Sequence, residues 1–132
     1  MTALVGYTAP MSEEHRHDVR PTIARIWRGR VRAERADEYE AYYMHELPQL
    51  VRAALGVQTL REQRGDEVEF VTISYWEDIA AMSRFAGDDP RRIHHLDRDA
   101  ELLVELPTEV QVLAIRSSVG DTGGAMTSDA AR

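Results

Sequence analysis

The stretch from Val68 to Trp76 constrains this chain more than any other, because it alternates with a period of two and carries apolar residues on both sides. Val68, Phe70, Thr72, Ser74 and Trp76 fall on one side, and Glu69, Val71, Ile73 and Tyr75 on the other. That period belongs to a β-strand. A strand with apolar residues on both sides needs cover on both faces of its sheet. Helices can cover one face, but the other then exposes a patch larger than a monomer usually tolerates. Pairing two sheets face to face removes the conflict, so the pattern predicts a homodimer that shares an α+β barrel.

The flanking sequence supplies the rest of such a sheet. Thr22 to Val31 is rich in β-branched and aromatic residues and reads as a first strand closed by Gly29. From Glu34 to Ala54 the residues Ala36, Tyr39, Tyr43, Leu47, Leu50 and Ala54 recur every three or four positions, which predicts a helix. Acidic residues load its first turns, as the helix dipole prefers. Pro48 predicts a kink or break near Glu46 to Gln49, and Gly56 an end to the helix. Val57 to Gln63 reads as a second strand, joined to the Val68 strand through Arg64-Gly65-Asp66-Glu67. Asp78 is placed to cap a helix from Ile79 to about Ala86, with Ile79, Met82 and Phe85 or Ala86 inward. Ile93, Leu96, Ala100, Leu103 and Leu106 then recur at helical spacing, Pro107 stops them, and Glu109 to Arg116 makes a last strand. The order β-α-β-β-α-β, with extra helical turns before the final strand, predicts a ferredoxin-like α+β fold.

The folded unit spans 22–116, between a polar arm at 1–21 and a Gly, Ser and Thr-rich tail at 117–132. With 132 residues there is room for one domain. Cys is absent, which excludes disulfides, thiolate metal sites and cysteine nucleophiles. Lys is absent too, so Schiff-base chemistry is excluded. A net charge of -7 repels phosphate backbones and argues against nucleic acid as a partner. No apolar run approaches the roughly 20 residues of a membrane span, and Met1 to Pro10 lacks the features of a signal peptide. A cytoplasmic protein without a membrane partner is expected.

Five histidines could act as acid, base or ligand. His15 and His17 lie in the arm. His94 and His95 are adjacent, so on a helix they diverge by about 100° and cannot share one pocket. His45 sits beside the Pro48 interruption, where freed carbonyls could line a cavity. No metal-binding spacing, phosphate loop or hydrolase elbow is present, and no metal is expected. Trp27, Trp76, Tyr39, Tyr43, Tyr75, Phe70 and Phe85 fall on the predicted sheet or its helices, where they serve the core or a flat apolar pocket. Arg25 and Trp27 share one side of the first strand, which could place a cation among aromatics to meet a carboxylate or enolate oxygen, or pair Arg25 across a dimer.

Over about Thr22 to Arg116 the chain resembles the antibiotic-biosynthesis monooxygenase superfamily of dimeric α+β barrels. The resemblance rests on I-A-R-I-W-R-G in the first strand, E-F-V-T-I-S-Y-W-E-D at the third strand, A-A-M-S-R-F-A-G in the following helix and the late V-Q-V-L. It implies an oxidoreductase that tailors a flat aromatic, polyketide-like molecule without metal or flavin: the deprotonated substrate itself passes an electron to dioxygen. It implies His95, His45 and Tyr43 as catalytic groups, and Arg25, Trp27, Trp76 and Phe85 as substrate-binding ones. A heme-degrading branch offers a second reading, in which Trp76 resembles a strand-end Trp, Phe85 a second Trp and His95 the axial ligand; that branch's first-strand Asn is replaced here by Ile26 or Trp27. A third reading is a ligand-binding dimer, isomerase or cyclase that uses the same pocket for proton transfer.

Overall fold

The β-branched and aromatic runs form four strands, β1 (Ile23–Arg32), β2 (Gly56–Arg64), β3 (Glu67–Trp76) and β4 (Gln111–Ala114), in a computed structural model that describes residues 19–50 and 52–120. A 3₁₀ turn, Ala33–Arg35, and helix α1, Ala36–Leu50, connect β1 to β2. Helix α2, Ile79–Ala86, and a single turn α3, Asp99–Leu102, lie between β3 and β4. The strands pair antiparallel in the order β2-β3-β1-β4. Because β3 lies between β1 and β2, the chain crosses the sheet between them, an α+β arrangement compatible with a ferredoxin-like fold. Of the expected arm and tail, residues 1–18 and 121–132 lie outside the described residues.

The register sets the inner face. Arg25, Trp27, Gly29 and Val31 of β1 stand opposite Ser74, Thr72, Phe70 and Val68 of β3. Against them pack Ala36, Tyr39, Tyr43 and Leu47 of α1, the stripe expected from spacing, with Ala81 and Met82 of α2. Burying a side chain the size of Phe70 or Met82 contributes roughly 1.5–3 kcal/mol. Asp78 caps α2 as expected: its Oδ1 accepts from the Ala81 N–H at 2.8 Å. Ile79 differs from expectation, since it is 43% exposed while Ala81, Met82 and Ala86 take the inner face.

Other differences have local causes. Helix α1 runs through Pro48 to Leu50. The proline leaves only the Met44 carbonyl without a helical donor, and both residues lie on the exposed side, where water reaches it. Gly56 does not end that helix; it starts β2, paired with Tyr75. Gly29 does not close β1 but lies within it, opposite Phe70. The β2–β3 turn is the tight Gly65-Asp66 expected, with Gly65 at φ 66°. The helical spacing from Ile93 to Leu106 yields only α3. Before it, the Asp99 carboxylate holds the Leu96 N–H; after it, the chain leaves the helix to join β1, by a Val31–Leu103 bridge and a 2.8 Å bond from the Val104 N–H to the Arg30 carbonyl. Residues 87–98 thus cross the inner face as a segment without helix or strand.

The outer face of the sheet carries Ile26, Val71, Ile73 and Tyr75, half-buried, with Leu60 and Leu113 46% and 45% exposed beside them. No other element among the described residues covers it. Both faces of the sheet are therefore apolar, as the sequence pattern requires.

Gly29 shows how closely the inner face is packed. A Cβ there would overlap the Trp27 ring and lie 3.2 Å from Leu103, so the indole lies against the glycine backbone. Gly29→Ala is expected to cost about 1–3 kcal/mol through overpacking and to shift Trp27 fluorescence; urea unfolding followed by that fluorescence checks both.

Candidate functional site

Between the sheet and its helices lies a cavity of about 40 Å³. Its floor is Arg25 and Trp27 of β1 with their cross-strand partners Ser74 and Thr72 of β3. Tyr43 and Leu47 of α1 and Phe85 of α2 form walls, and Ile93, His94, Leu96 and Asp99 close it from the irregular segment and α3. Strand alternation puts the four floor residues on one face, and the helical period puts Tyr43 and Leu47 one turn apart on another.

Arg25 is the charged centre. It is 6% exposed, donates from Nε to the Pro90 carbonyl at 3.3 Å and from Nη2 to the Arg92 carbonyl, and lies 5.0 Å from the centre of the Phe85 ring. Burial pulls its pKa down, the nearby Tyr43 phenol opposes this, and no carboxylate acts on it. An arginine stays charged regardless. The floor thus holds a buried cation that makes no ion pair with any described residue; the carboxylate on the same cavity, Asp99, is held by other donors.

The aromatic walls are stacked rather than scattered. Trp27 lies 5.3 Å from Tyr43 and Tyr43 5.6 Å from Tyr39, each pair inclined by 19°. Burial pushes the Tyr43 phenol up to about 12, with the Thr72 hydroxyl and Arg25 pulling the other way, so it stays protonated at neutral pH. The two hydroxyls fall short of hydrogen-bond geometry, and Thr72 Oγ1 is buried with no partner.

Asp99 is 2% exposed and anchors the far wall. Its Oδ1 accepts from the Tyr39 hydroxyl at 3.0 Å and its Oδ2 from the Leu96 N–H at 2.9 Å. Burial raises its pKa above the ordinary 3.8, against the pull of those two donors and of His95. His94 packs against Phe85, with ring centres 5.0 Å apart. Its pKa is lowered by burial, then by Arg25 and Arg92, so its imidazole is neutral at pH 7.

The expected site residues therefore separate. Arg25, Trp27, Tyr43 and Phe85 come together on the cavity. Trp76 stands behind it, fully buried, donating from Nε1 to Ser74 Oγ at 2.9 Å and stacking on Phe85 at 5.6 Å. His45 lies exposed on α1, away from the lining. His95 points to the back of Asp99, with Nδ1 4.0 Å from Oδ2, and its neighbour His94 takes the lining position. Thr72 and Ser74 carried a legible signal, as polar residues on the inward side of an apolar strand. The places of Asp99 and His94 were not legible, because the helical spacing from Ile93 to Leu106 collapses to a single turn and long-range contacts decide the path of the segment.

The cavity is well below the roughly 300–1,000 Å³ of small-molecule clefts, and His95, the axial ligand of the heme reading, is not on its lining. No group of three His, Asp or Glu side chains among the described residues is placed to hold a metal ion. No described helix is long and apolar enough to cross a membrane. Neither a protein-family model nor a curated protein matches the chain.

Because its folded pKa is raised, Asp99 contributes most to stability below about 3.8 and loses that contribution as pH rises through the folded value. Tyr39→Phe removes a donor to the carboxylate. It is expected to raise the Asp99 pKa further, seen by carboxyl ¹³C NMR titration, and to cost about 1–2 kcal/mol in stability.

Proposed function

We propose that the chain is a homodimeric tailoring enzyme of the antibiotic-biosynthesis monooxygenase kind, acting on a small flat aromatic in the cavity between sheet and helices. The observation that carries this reading is a buried guanidinium without an ion pair set among planar aromatic walls, Arg25 amid Trp27, Tyr43 and Phe85. Such walls accept a ring face, and a preorganised cation stabilises negative charge that develops on the ring oxygen.

The chemistry that suits these groups starts from a phenol. His94 and Asp99, on the cavity wall, are the groups able to take its proton, while Arg25 and the protonated Tyr43 hydroxyl stabilise the negative charge of the bound anion. The phenolate passes an electron to dioxygen. For oxidation to a quinone, one oxygen atom enters the ring, the other leaves as water, and the phenol supplies all four electrons. A molecule larger than the enclosed volume enters only if residues 87–98 give way. That segment is held by side-chain and backbone contacts rather than by a helix or strand, which makes it the element best suited to move.

The homodimer rests on the outer sheet face. Ile26, Leu60, Val71, Ile73 and Leu113 form an apolar surface that a second copy of the same sheet covers. Ile73→Glu is expected to yield a monomer in sedimentation velocity, whereas an unchanged sedimentation coefficient at a monomer's value for both proteins removes the dimer.

Oxygen uptake with a panel of mono- and bicyclic phenols tests the activity. Aerobic turnover is expected, with Arg25→Gln lowering kcat/KM by about 100-fold, the scale on which loss of one buried oxyanion donor acts. Identical product profiles with and without oxygen would sink the oxygenase and leave a ligand-binding dimer, isomerase or cyclase.

A further inference from the structure

The polar end of the cavity has more hydrogen-bond donors than its own chain uses. An arginine side chain carries five N–H donors. Pro90 and Arg92 carbonyls take two of them, along the Nε/Nη2 edge, which leaves three without a partner among the described residues. Thr72 Oγ1, on a residue 5% exposed, has no partner either, and the Tyr43 hydroxyl lies beside it. All three side chains line the same cavity.

A buried hydroxyl without a partner and a buried cation without an ion pair both carry a desolvation cost, and one ligand group can relieve both. A single phenolate oxygen has too few acceptor sites for the two N–H groups of the free Nη1/Nη2 edge and two hydroxyls. A carboxylate, with two oxygens and about four lone-pair sites, can take all four, and it matches the remaining guanidinium fork in plane and spacing. The enclosed volume of about 40 Å³ also suits a head group of three heavy atoms.

Resting on the aromatic-ligand reading above, we propose that Arg25, Thr72 and Tyr43 form a carboxylate subsite, so that the natural ligand is a small aromatic carboxylic acid whose ring lies along Trp27 and Phe85. The carboxylate takes the Nη1/Nη2 edge of Arg25, which the carbonyls of residues 90 and 92 leave free.

The test uses the full chain and isothermal titration with benzoate, salicylate, benzamide and phenol at pH 7. Benzoate and salicylate are expected to bind at least about ten-fold more tightly than benzamide, which has the same shape and no charge. Thr72→Val is expected to weaken benzoate about five-fold while leaving Tm unchanged or higher, since it deletes an unpartnered buried hydroxyl. Arg25→Gln is expected to weaken benzoate about 100-fold; if it fails to fold, Thr72→Val decides. Equal affinity for benzoate and benzamide, full benzoate affinity in folded Thr72→Val, or binding of none of the four compounds overturns the subsite. Oxidation of phenols with no preference for carboxylates overturns the subsite and keeps the oxygenase. Salicylate and benzoate binding without oxygen uptake does the reverse.

Discussion

The burial of the Arg25 guanidinium shapes everything around it. A charge taken out of water must be held by other polar groups, and here those are two main-chain carbonyls, of Pro90 and Arg92, from a segment with no regular structure of its own. Through those bonds and the Phe85 ring beneath the cation, the segment after α2 is fixed across the sheet. Beside that anchor, residues 87–98 are kept over the inner face by the side chains of Ile93, His94 and Leu96, by a 3.2 Å bond from the Val110 N–H to the Arg91 carbonyl and by a 2.9 Å bond from the Arg98 N–H to the Tyr42 hydroxyl. The same interaction that closes the cavity therefore also charges it.

A second set of contacts holds the opposite wall. Asp99 accepts from Tyr39 and from its own segment's Leu96 N–H, so one buried carboxyl joins α1 to the turn of α3. On the surface above, Arg98 bridges Glu38 and Glu101 at 2.8 Å each, and Arg35 joins the same two acids. Exposed pairs of this kind contribute little one by one, but they restrict the same joint that the buried pair defines. The Trp27–Tyr43–Tyr39 stack then carries rigidity from the sheet to α1, so that the cavity is bounded by groups each fixed from a different direction.

The sheet meets two demands with one alternation. Its inner side is satisfied within the chain by α1 and α2, and its outer side, with Ile26, Val71 and Ile73, is left for another surface. A small domain gains burial by using both faces of its sheet in this way, and this links the proposed pairing of subunits to the site: Arg25 and Ile26 are neighbours on β1 and face opposite ways.

Much of this was determined by the sequence alone. The alternation of Val68–Trp76, the Ala36–Leu47 stripe, the Asp78 cap and the Gly65 turn are local devices whose geometry follows from backbone period and side-chain chemistry, and each appears where the pattern puts it. So does the pairing of Arg25 with Trp27 on one strand face. The extent of α1 past Pro48, the collapse of the Ile93–Leu106 spacing to one turn, and the exchange of His95 for His94 on the lining were decided only by tertiary structure. Helix α1 continues because the one carbonyl that Pro48 frees faces water, whereas after α2 long-range bonds outweigh a weak local preference: Arg25 takes the carbonyls of residues 90 and 92, β1 takes Val104, and Tyr39 takes Asp99. Periodicity reports which side chains an element can bury, whereas a segment whose period is overridden is placed by the partners that reach it from distant parts of the chain.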